Sequence, residues 1–364
     1  MSSSRPDLVV VVVGASFAGA ACAIAAAQRG LHVCVLERKR DPGEKLHTTG
    51  IIVKEAAEQT LLERLPPALT RRIGQVRLYA PSLKQVALAA PGYYFLTTDT
   101  PGVMRWLAAQ MRDHGVDLRL GQAFTGCQRD GGGWRIDGLG ATGYLVGADG
   151  ARSRVARACG LGQVRQFLYG IEYEFPGAML GEPDALHCFI SKRYAPGYIG
   201  WIAQNPTGIQ AGLALRHDPA RARLPDIDSF LLRVGLAGGL PRHLRPGPTR
   251  AGLIPCSGPV PDLARDRAIL VGDAAGVVSP VTAGGIHSAW EHGWAVGRAI
   301  AAHLRDGGPP PEQVAIAAAP RFRFKRALRW AYDRIQFDWP FDLLLHSPPL
   351  RWAAERVYFH KRAS

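Results

Sequence analysis

Val11-Val12-Val13-Gly14-Ala15-Ser16-Phe17-Ala18-Gly19-Ala20 decides how the rest of the chain is read. An apolar strand breaks at a glycine and passes straight into a helix. Leu8–Val13 is apolar throughout rather than alternating, the mark of a parallel strand covered on both faces. Ala18–Arg29 reads as an alanine-rich helix stopped by Gly30. His32-Val33-Cys34-Val35-Leu36 gives the next strand, and Asp41-Pro42-Gly43 breaks the chain. Residues 8–40 are one βαβ unit.

Each small residue in the turn has its own task. Gly14 permits the tight turn. Ser16, in place of the second glycine of G-x-G-x-x-G, is small enough for backbone to approach a pyrophosphate. Gly19 lets helix and strand pack closely. Phe17 and Ala18 open the helix, whose free N–H groups and dipole suit phosphate. Glu37 stands 37 − 14 = 23 residues past Gly14, at the end of the second strand. A carboxylate there accepts ribose hydroxyls of an adenosine; Arg38 follows it. A bare strand-turn-helix with no ligand is the plain alternative, and Glu37 weighs against it.

Two further segments repeat the strand-to-turn pattern. Tyr144–Val146 runs into Gly147-Ala148-Asp149-Gly150-Ala151-Arg152-Ser153, ahead of a helix near Ser153. Ala268–Val271 runs into Gly272-Asp273-Ala274-Ala275-Gly276, and Gly285–Leu304 is a long helix. Alone, each is a generic turn. Between them lie hairpins over 73–98, a helix over Pro101–His114, and strand patterning with Pro and Gly punctuation from about 165 to 250. The chain reads as α/β in its nucleotide-binding pieces and α+β overall, with parallel elements at both ends of a mostly antiparallel middle.

The 364 residues suggest two domains, at roughly 100–200 residues each. A hydrophobic share of 47% excludes bulk disorder. The net charge of +14 admits nucleic acid, an anionic membrane or an acidic ligand as partner. No helix-turn-helix, zinc-finger or RNP signature accompanies it, so nucleic acid is not expected. The six cysteines form no C-x-x-C pair and no metal spacing, so reduced thiols and no metal are expected. No run of about 18 apolar residues spans a membrane, and Leu8–Val13 is too short for a secretory core. A cytoplasmic location follows.

Taken in order, Gly14-x-Ser16-x-x-Gly19 with Glu37, then Gly147-Ala148-Asp149-Gly150, then Gly272-Asp273 resemble the three FAD fingerprints of the glutathione-reductase-type flavoproteins. The branch is the one holding p-hydroxybenzoate hydroxylase and geranylgeranyl reductase. The resemblance covers roughly residues 8–305. It implies that Asp273 binds the ribitol chain and that the Asp149–Gly150 segment lies near the pyrophosphate. Hydroxylases of this branch usually read G-D-A-A-H. Here Gly276 follows Ala275, and Ser279-Pro280-Val281-Thr282-Ala283-Gly284-Gly285-Ile286 is similar to the geranylgeranyl reductase form. Thr282, Gly284, Gly285 and Ile286 would then present N–H groups to the flavin's pyrimidine end. Ala195-Pro196-Gly197-Tyr198-Ile199-Gly200-Trp201-Ile202 resembles that family's stretch lining a lipid pocket, although Ala203-Gln204 replaces its Phe-Pro. The family's loop cysteine is absent, with His47-Thr48-Thr49-Gly50 in that region, and Thr100 stands where an Arg is often found.

His47 is a candidate proton donor or an ordinary loop histidine. Tyr198 and Trp201 either line a substrate cavity or fill the core. Residues 321–364 hold ten Lys/Arg against four Asp/Glu with interleaved aromatics. They read as a helical cap on the flavin domain, as a contact with the inner membrane face, or as both.

The expected architecture is a Rossmann-like FAD-binding domain (1–75, 101–165 and 250–305), an inserted antiparallel substrate domain (76–100 and 166–249) and a helical region (306–364). The expected function is reduction of carbon–carbon double bonds in an isoprenoid or other apolar substrate by reduced flavin, with NADPH or NADH as electron donor. An FAD-dependent monooxygenase using NAD(P)H and oxygen is the alternative, and a non-catalytic flavin- or lipid-binding protein the third reading.

Overall fold

The computed structural model describes residues 8–219, 224–334 and 336–359. Two compact units emerge. One comprises Met1–Glu44, Pro101–Gln166 and Pro255–Arg323; the other comprises Lys45–Thr100, Phe167–Ile254 and Phe324–Ser364.

The first unit is built on a twisted sheet. Its strands run in the order Ala264–Arg265, Ala268–Leu270, Gly140–Gly147, Leu8–Val13, Val33–Glu37 and Asp117–Leu120. The last five of these pair in parallel. Gly133–Ile136 and Cys127–Asp130 add an antiparallel extension to Gly140–Gly147. Val10–Val13 are buried, as a strand apolar on both faces must be. The chain leaves Leu8–Val13 towards Val33–Glu37 and Asp117–Leu120 on one side, then returns to Gly140–Gly147 on the other. That reversal is a topological switch point, the place where open α/β sheets bind ligands beyond the carboxyl ends of their strands.

Helix Phe17–Ala27 is buried on every side through Ala26. It packs on helix Ile286–Asp306. Contact is close because Gly293 and Gly297 stand opposite Ala18 and Cys22: a Cβ on either glycine would fall on the carbonyl oxygen of its opposite number. Four residues separate the members of each pair, so both stand on one helix face.

The second unit carries a seven-stranded sheet. Its order is Thr249–Pro255, Phe167–Pro176, Gly208–Arg216, Ile199–Asn205, Ala185–Ile190, Gln75–Tyr79 and Gln85–Ala89. Among the described pairings of this sheet only Ala185–Ile190 and Gln75–Tyr79 run parallel. Helix Ile227–Val234, which the strand pattern did not announce, covers one face. Phe230 fills the space left by Gly200, and Phe189, Ile202, Ile209 and Leu213 complete that core.

Residues 45–75 differ from the domain boundaries expected from sequence. Ile52–Val53 and Thr70–Ile73 flank Phe95–Thr98 in a three-stranded sheet of the second unit. Residues 306–364 likewise form no unit of their own. Helix Pro311–Ala318 belongs to the first unit, while Arg329 Nη1 donates to Gly197 O at 2.6 Å within the second. The last five residues of the expected tail, and Ile335, lie outside the described residues. Among the described residues no helix is long and apolar enough to cross a membrane.

Candidate flavin site

Three turns meet beyond the carboxyl ends of three neighbouring parallel strands. Gly14 follows Leu8–Val13, Ala148–Gly150 follows Gly140–Gly147, and Gly272 follows Ala268–Leu270. Gly14 takes φ +103°, and a Cβ there would strike Ala148 O. Gly14 N donates to Leu36 O at 2.8 Å, and Ala148 N to Val13 O at 2.8 Å. On Gly19 a Cβ would run into Gly14 O. Gly272, at φ +58°, would place a Cβ 2.7 Å from that of Ala18. The first and third of these turns therefore touch at the start of the first helix.

That helix start is open to an anion. Ser16 is the N-cap in extended conformation, yet its hydroxyl caps no N–H, and the first turn holds no acidic residue. Ala20 N is the first to find its helical acceptor, Ser16 O, at 2.8 Å. The N–H groups of Phe17, Ala18 and Gly19 have no partner within the helix. An uncapped, buried helix N-terminus behind a glycine turn fits a pyrophosphate.

Glu37 ends its strand with both carboxylate oxygens anchored. Oε2 accepts from Ala15 N at 3.0 Å and Oε1 from Lys39 N at 3.0 Å. Each oxygen keeps a further lone pair for a ribose hydroxyl. Arg38 beside it is exposed.

Asp273 sits in the single turn Gly272–Ala275. Among the described residues no hydrogen bond or ion pair reaches its carboxyl group. Burial pushes that group up to about 6. A donated polyol hydroxyl would relieve the desolvation, so the position fits a ribitol chain. Asp149 is different. Its Oδ1 accepts from Ser153 Oγ at 2.6 Å, and its Oδ2 from Arg154 N and Val155 N at 2.6 and 3.2 Å. This carboxylate is committed to capping helix Arg154–Ala158, and it shapes the Gly150 turn rather than pointing outward from it.

Downstream, Ser279 N donates to Gly284 O at 3.2 Å and Ala283 N to Ser279 O at 3.0 Å. Gly284 N donates to Thr282 Oγ1 at 3.4 Å. The loop forces Ala283 to φ +49°, an uncommon conformation for a residue with a Cβ. Gly285 then caps helix Ile286–Asp306 with no side chain, and the first turn is free of acids. A second open helix N-terminus, here on a long helix, results. The cradles, the two open N-termini and the unpartnered carboxyl form a donor and acceptor set that fits FAD.

The second unit holds the other candidates. His47 is exposed, and its Nδ1 stands 2.7 Å from Ala251 O. A carbonyl only accepts, so Nδ1 carries hydrogen and Nε2 is the end left for proton exchange. Tyr198 is half-buried, and burial pushes its hydroxyl well up. Trp201 is buried in the sheet, and its indole N–H donates to Glu172 Oε2 at 2.8 Å. Its ring also packs against the bare Cα of Gly212.

Sequence reasoning missed the network behind Trp201. Arg250 is buried and donates through Nη1 to Glu172 Oε1 at 3.4 Å, Thr48 O at 3.2 Å and Thr100 Oγ1 at 3.2 Å. Its Nη2 bonds Glu174. Burial raises the Glu172 carboxyl above its usual range, against the pull of Arg250 and Trp201. The signal was present: two acids at i and i+2 on one face of an otherwise apolar strand demand a buried cation.

The model of the FAD dependent oxidoreductase family (DAO) matches residues 9–90. A menaquinone reductase of Mycolicibacterium smegmatis is 30% identical over 338 residues, 84% of this chain and 78% of the relative. A digeranylgeranylglycerophospholipid reductase of Methanocaldococcus jannaschii is 27% identical over 298 residues, 79% of this chain and 75% of the relative. Among solved structures, a geranylgeranyl bacteriochlorophyll reductase-like protein from Thermoplasma acidophilum superposes with a TM-score of 0.81 at 18% identity. It covers 97% of this chain and 96% of its own, and shows the same fold. The open helix starts, the meeting of three glycine turns and this likeness along most of both chains agree: the chain belongs to the FAD-dependent oxidoreductases of the geranylgeranyl reductase type.

Proposed function

We propose that the chain reduces carbon–carbon double bonds in the polyprenyl part of an apolar lipid, with NADPH or NADH as electron donor. Bound reduced FAD supplies hydride chemistry. The residues of the chain bind, orient and protonate. Phe17–Gly19 hold the pyrophosphate by backbone N–H groups, Glu37 holds the ribose, and Asp273 holds the ribitol. Gly285 and Ile286 present N–H groups and the positive helix end to the pyrimidine ring, while Gly284 N is turned to Thr282 Oγ1. His47, fixed by Ala251 O through Nδ1, delivers the proton from Nε2.

One observation carries the preference for a reductase over a hydroxylase. Gly276 takes φ +70°, and a Cβ there would lie 2.5 Å from Gly258 O. This turn has no room for the histidine that hydroxylases of the branch usually carry. The relatives' names point the same way, since a digeranylgeranyl glycerolipid and a menaquinone both bear polyprenyl chains.

The test is anaerobic. Protein reduced with NADPH or dithionite is mixed with a geranylgeranyl lipid, and flavin absorption and lipid mass are followed. Flavin that reoxidises without oxygen, with a lipid heavier by two hydrogens, is the expected result. Reoxidation only when oxygen is admitted would overturn the reductase reading in favour of a monooxygenase.

A further inference from the structure

Helix Arg323–Arg334 turns a polar stripe inward and leaves several apolar side chains in water. Lys325, Arg329 and Tyr332 recur at helical spacing on one face. Arg329 is only 5% exposed, with Nη1 on Gly197 O and Nη2 on Asp333. Burial lowers the Lys325 ammonium and pushes the Tyr332 hydroxyl up to about 12. Elsewhere around the helix apolar side chains meet water: Phe324 is 79% and Trp330 59% exposed, and Leu328 is exposed as well. A soluble protein gains nothing by burying an arginine and presenting a tryptophan to water.

The following residues continue the pattern. Phe337, Trp339, Leu343 and Trp352 are exposed. Eight of the fourteen large hydrophobic side chains exposed among the described residues fall between 324 and 352, so this is one patch of chain and not scattered surface. All four acids here are engaged: Asp333 with Arg329, Asp338 with Lys192 N, Asp342 with Ser82 N, and Glu355 with Arg351. Apart from Lys325 and Arg329, basic side chains of the segment stay outside. Arg326 is exposed, Arg334 lies over the Trp330 ring at 4.2 Å, and Arg356 over the Trp352 ring at 5.4 Å.

We propose that the segment Phe324–Arg356 docks the protein on an anionic lipid bilayer. Exposed tryptophans paired with arginines, and acids drawn inward, match the headgroup layer, where amphipathic rings settle and cations meet lipid phosphate. The apolar rings enter the boundary of the acyl chains while Arg326, Arg334 and Arg356 remain among the phosphates. The proposal stands whichever lipid the enzyme reduces.

Flotation of the full-length, FAD-loaded protein with vesicles tests it. Vesicles of phosphatidylcholine alone are compared with vesicles carrying an equal share of phosphatidylglycerol. Binding to the anionic vesicles and its release by high salt are expected, with little binding to the neutral ones. Arg326→Gln and Arg334→Gln should each weaken partition by about fivefold, from ~1 kcal/mol per basic residue at such a surface. Trp330→Ser and Trp352→Ser should weaken it as well. Unchanged FAD content and melting temperature in these variants would show that the fold is intact. Equal partition into neutral and anionic vesicles, or variants that bind as the parent does, would overturn the proposal. So would lipid-free self-association abolished by Trp330→Ser, which would assign the patch to a second copy of the chain.

Discussion

The indole N–H of Trp201 donates to the Glu172 carboxylate at 2.8 Å, and Arg250 holds the other oxygen of the same group. An aromatic residue that sequence alone places on a pocket wall or in the core thus serves as a hydrogen-bond donor to a buried acid. Trp201→Phe keeps most of the ring but removes the donor. It should destabilise the protein by about 1–3 kcal/mol, the cost of leaving a buried acceptor short of a partner. Arg250→Met leaves two acids without their cation and should cost about 3–5 kcal/mol. Adding Glu172→Gln should recover part of that loss. Denaturant unfolding of the three variants checks the order.

Asp273 gives a prediction in pH. Its folded-state carboxyl lies at about 6, above the ordinary 3.8. A raised carboxyl binds its proton more tightly in the folded state. The stability it contributes is therefore present below the ordinary value and lost as pH rises through about 6. Flavin-free protein should melt at progressively lower temperature between these limits, relative to Asp273→Asn, and run parallel to it above them. Asp273→Ala should remain folded and bind FAD about 10–150-fold more weakly, the worth of a hydrogen bond to a charged group. Fluorescence titration with FAD measures it.

Gly293→Ala tests the close approach of the two long helices. The new Cβ would meet Ala18 O. Overpacking of this kind costs about 1–3 kcal/mol, and displacing Ala18 also disturbs the pyrophosphate turn. Lower melting temperature together with weaker FAD binding is expected. Gly307→Ala, where a Cβ meets open space, should leave FAD binding unchanged.

His47→Gln should lower kcat by about 10²–10⁴-fold if the imidazole carries the proton. FAD affinity should not move, since the residue lies outside the flavin-binding unit. Single-turnover kinetics under anaerobic conditions separates the two effects.

The glycine turns of the candidate flavin site were legible because backbone geometry forbids substitutes. Gly14 at φ +103° and Gly272 pressed on Ala18 admit no side chain, and such positions write themselves into a sequence. Glu37 was legible from its spacing. Asp149 was legible as a motif but not as a role, because only coordinates reveal that both oxygens cap the next helix. The placement of 45–75 was hidden for another reason. Ile52–Val53 is too short to carry a periodic pattern, and its partner Phe95–Thr98 lies far along the chain. The inward polar stripe of Arg323–Arg334 was equally hidden, since helical periodicity reports faces without saying which one meets water.

The order of the central sheet sets a timetable for synthesis. Gly140–Gly147 must await Ala268–Leu270, and Ala18 must await Gly272 and Gly293. A nascent chain that has emerged only as far as the second unit's strands holds the first glycine turn without the carboxylate or the long helix that complete the site. Cofactor loading is thus a late event in the life of each molecule, and a ribosome stalled before residue 285 should release a chain unable to retain FAD. Until then strand Gly140–Gly147 keeps an open parallel edge, the kind of surface that invites aggregation during folding.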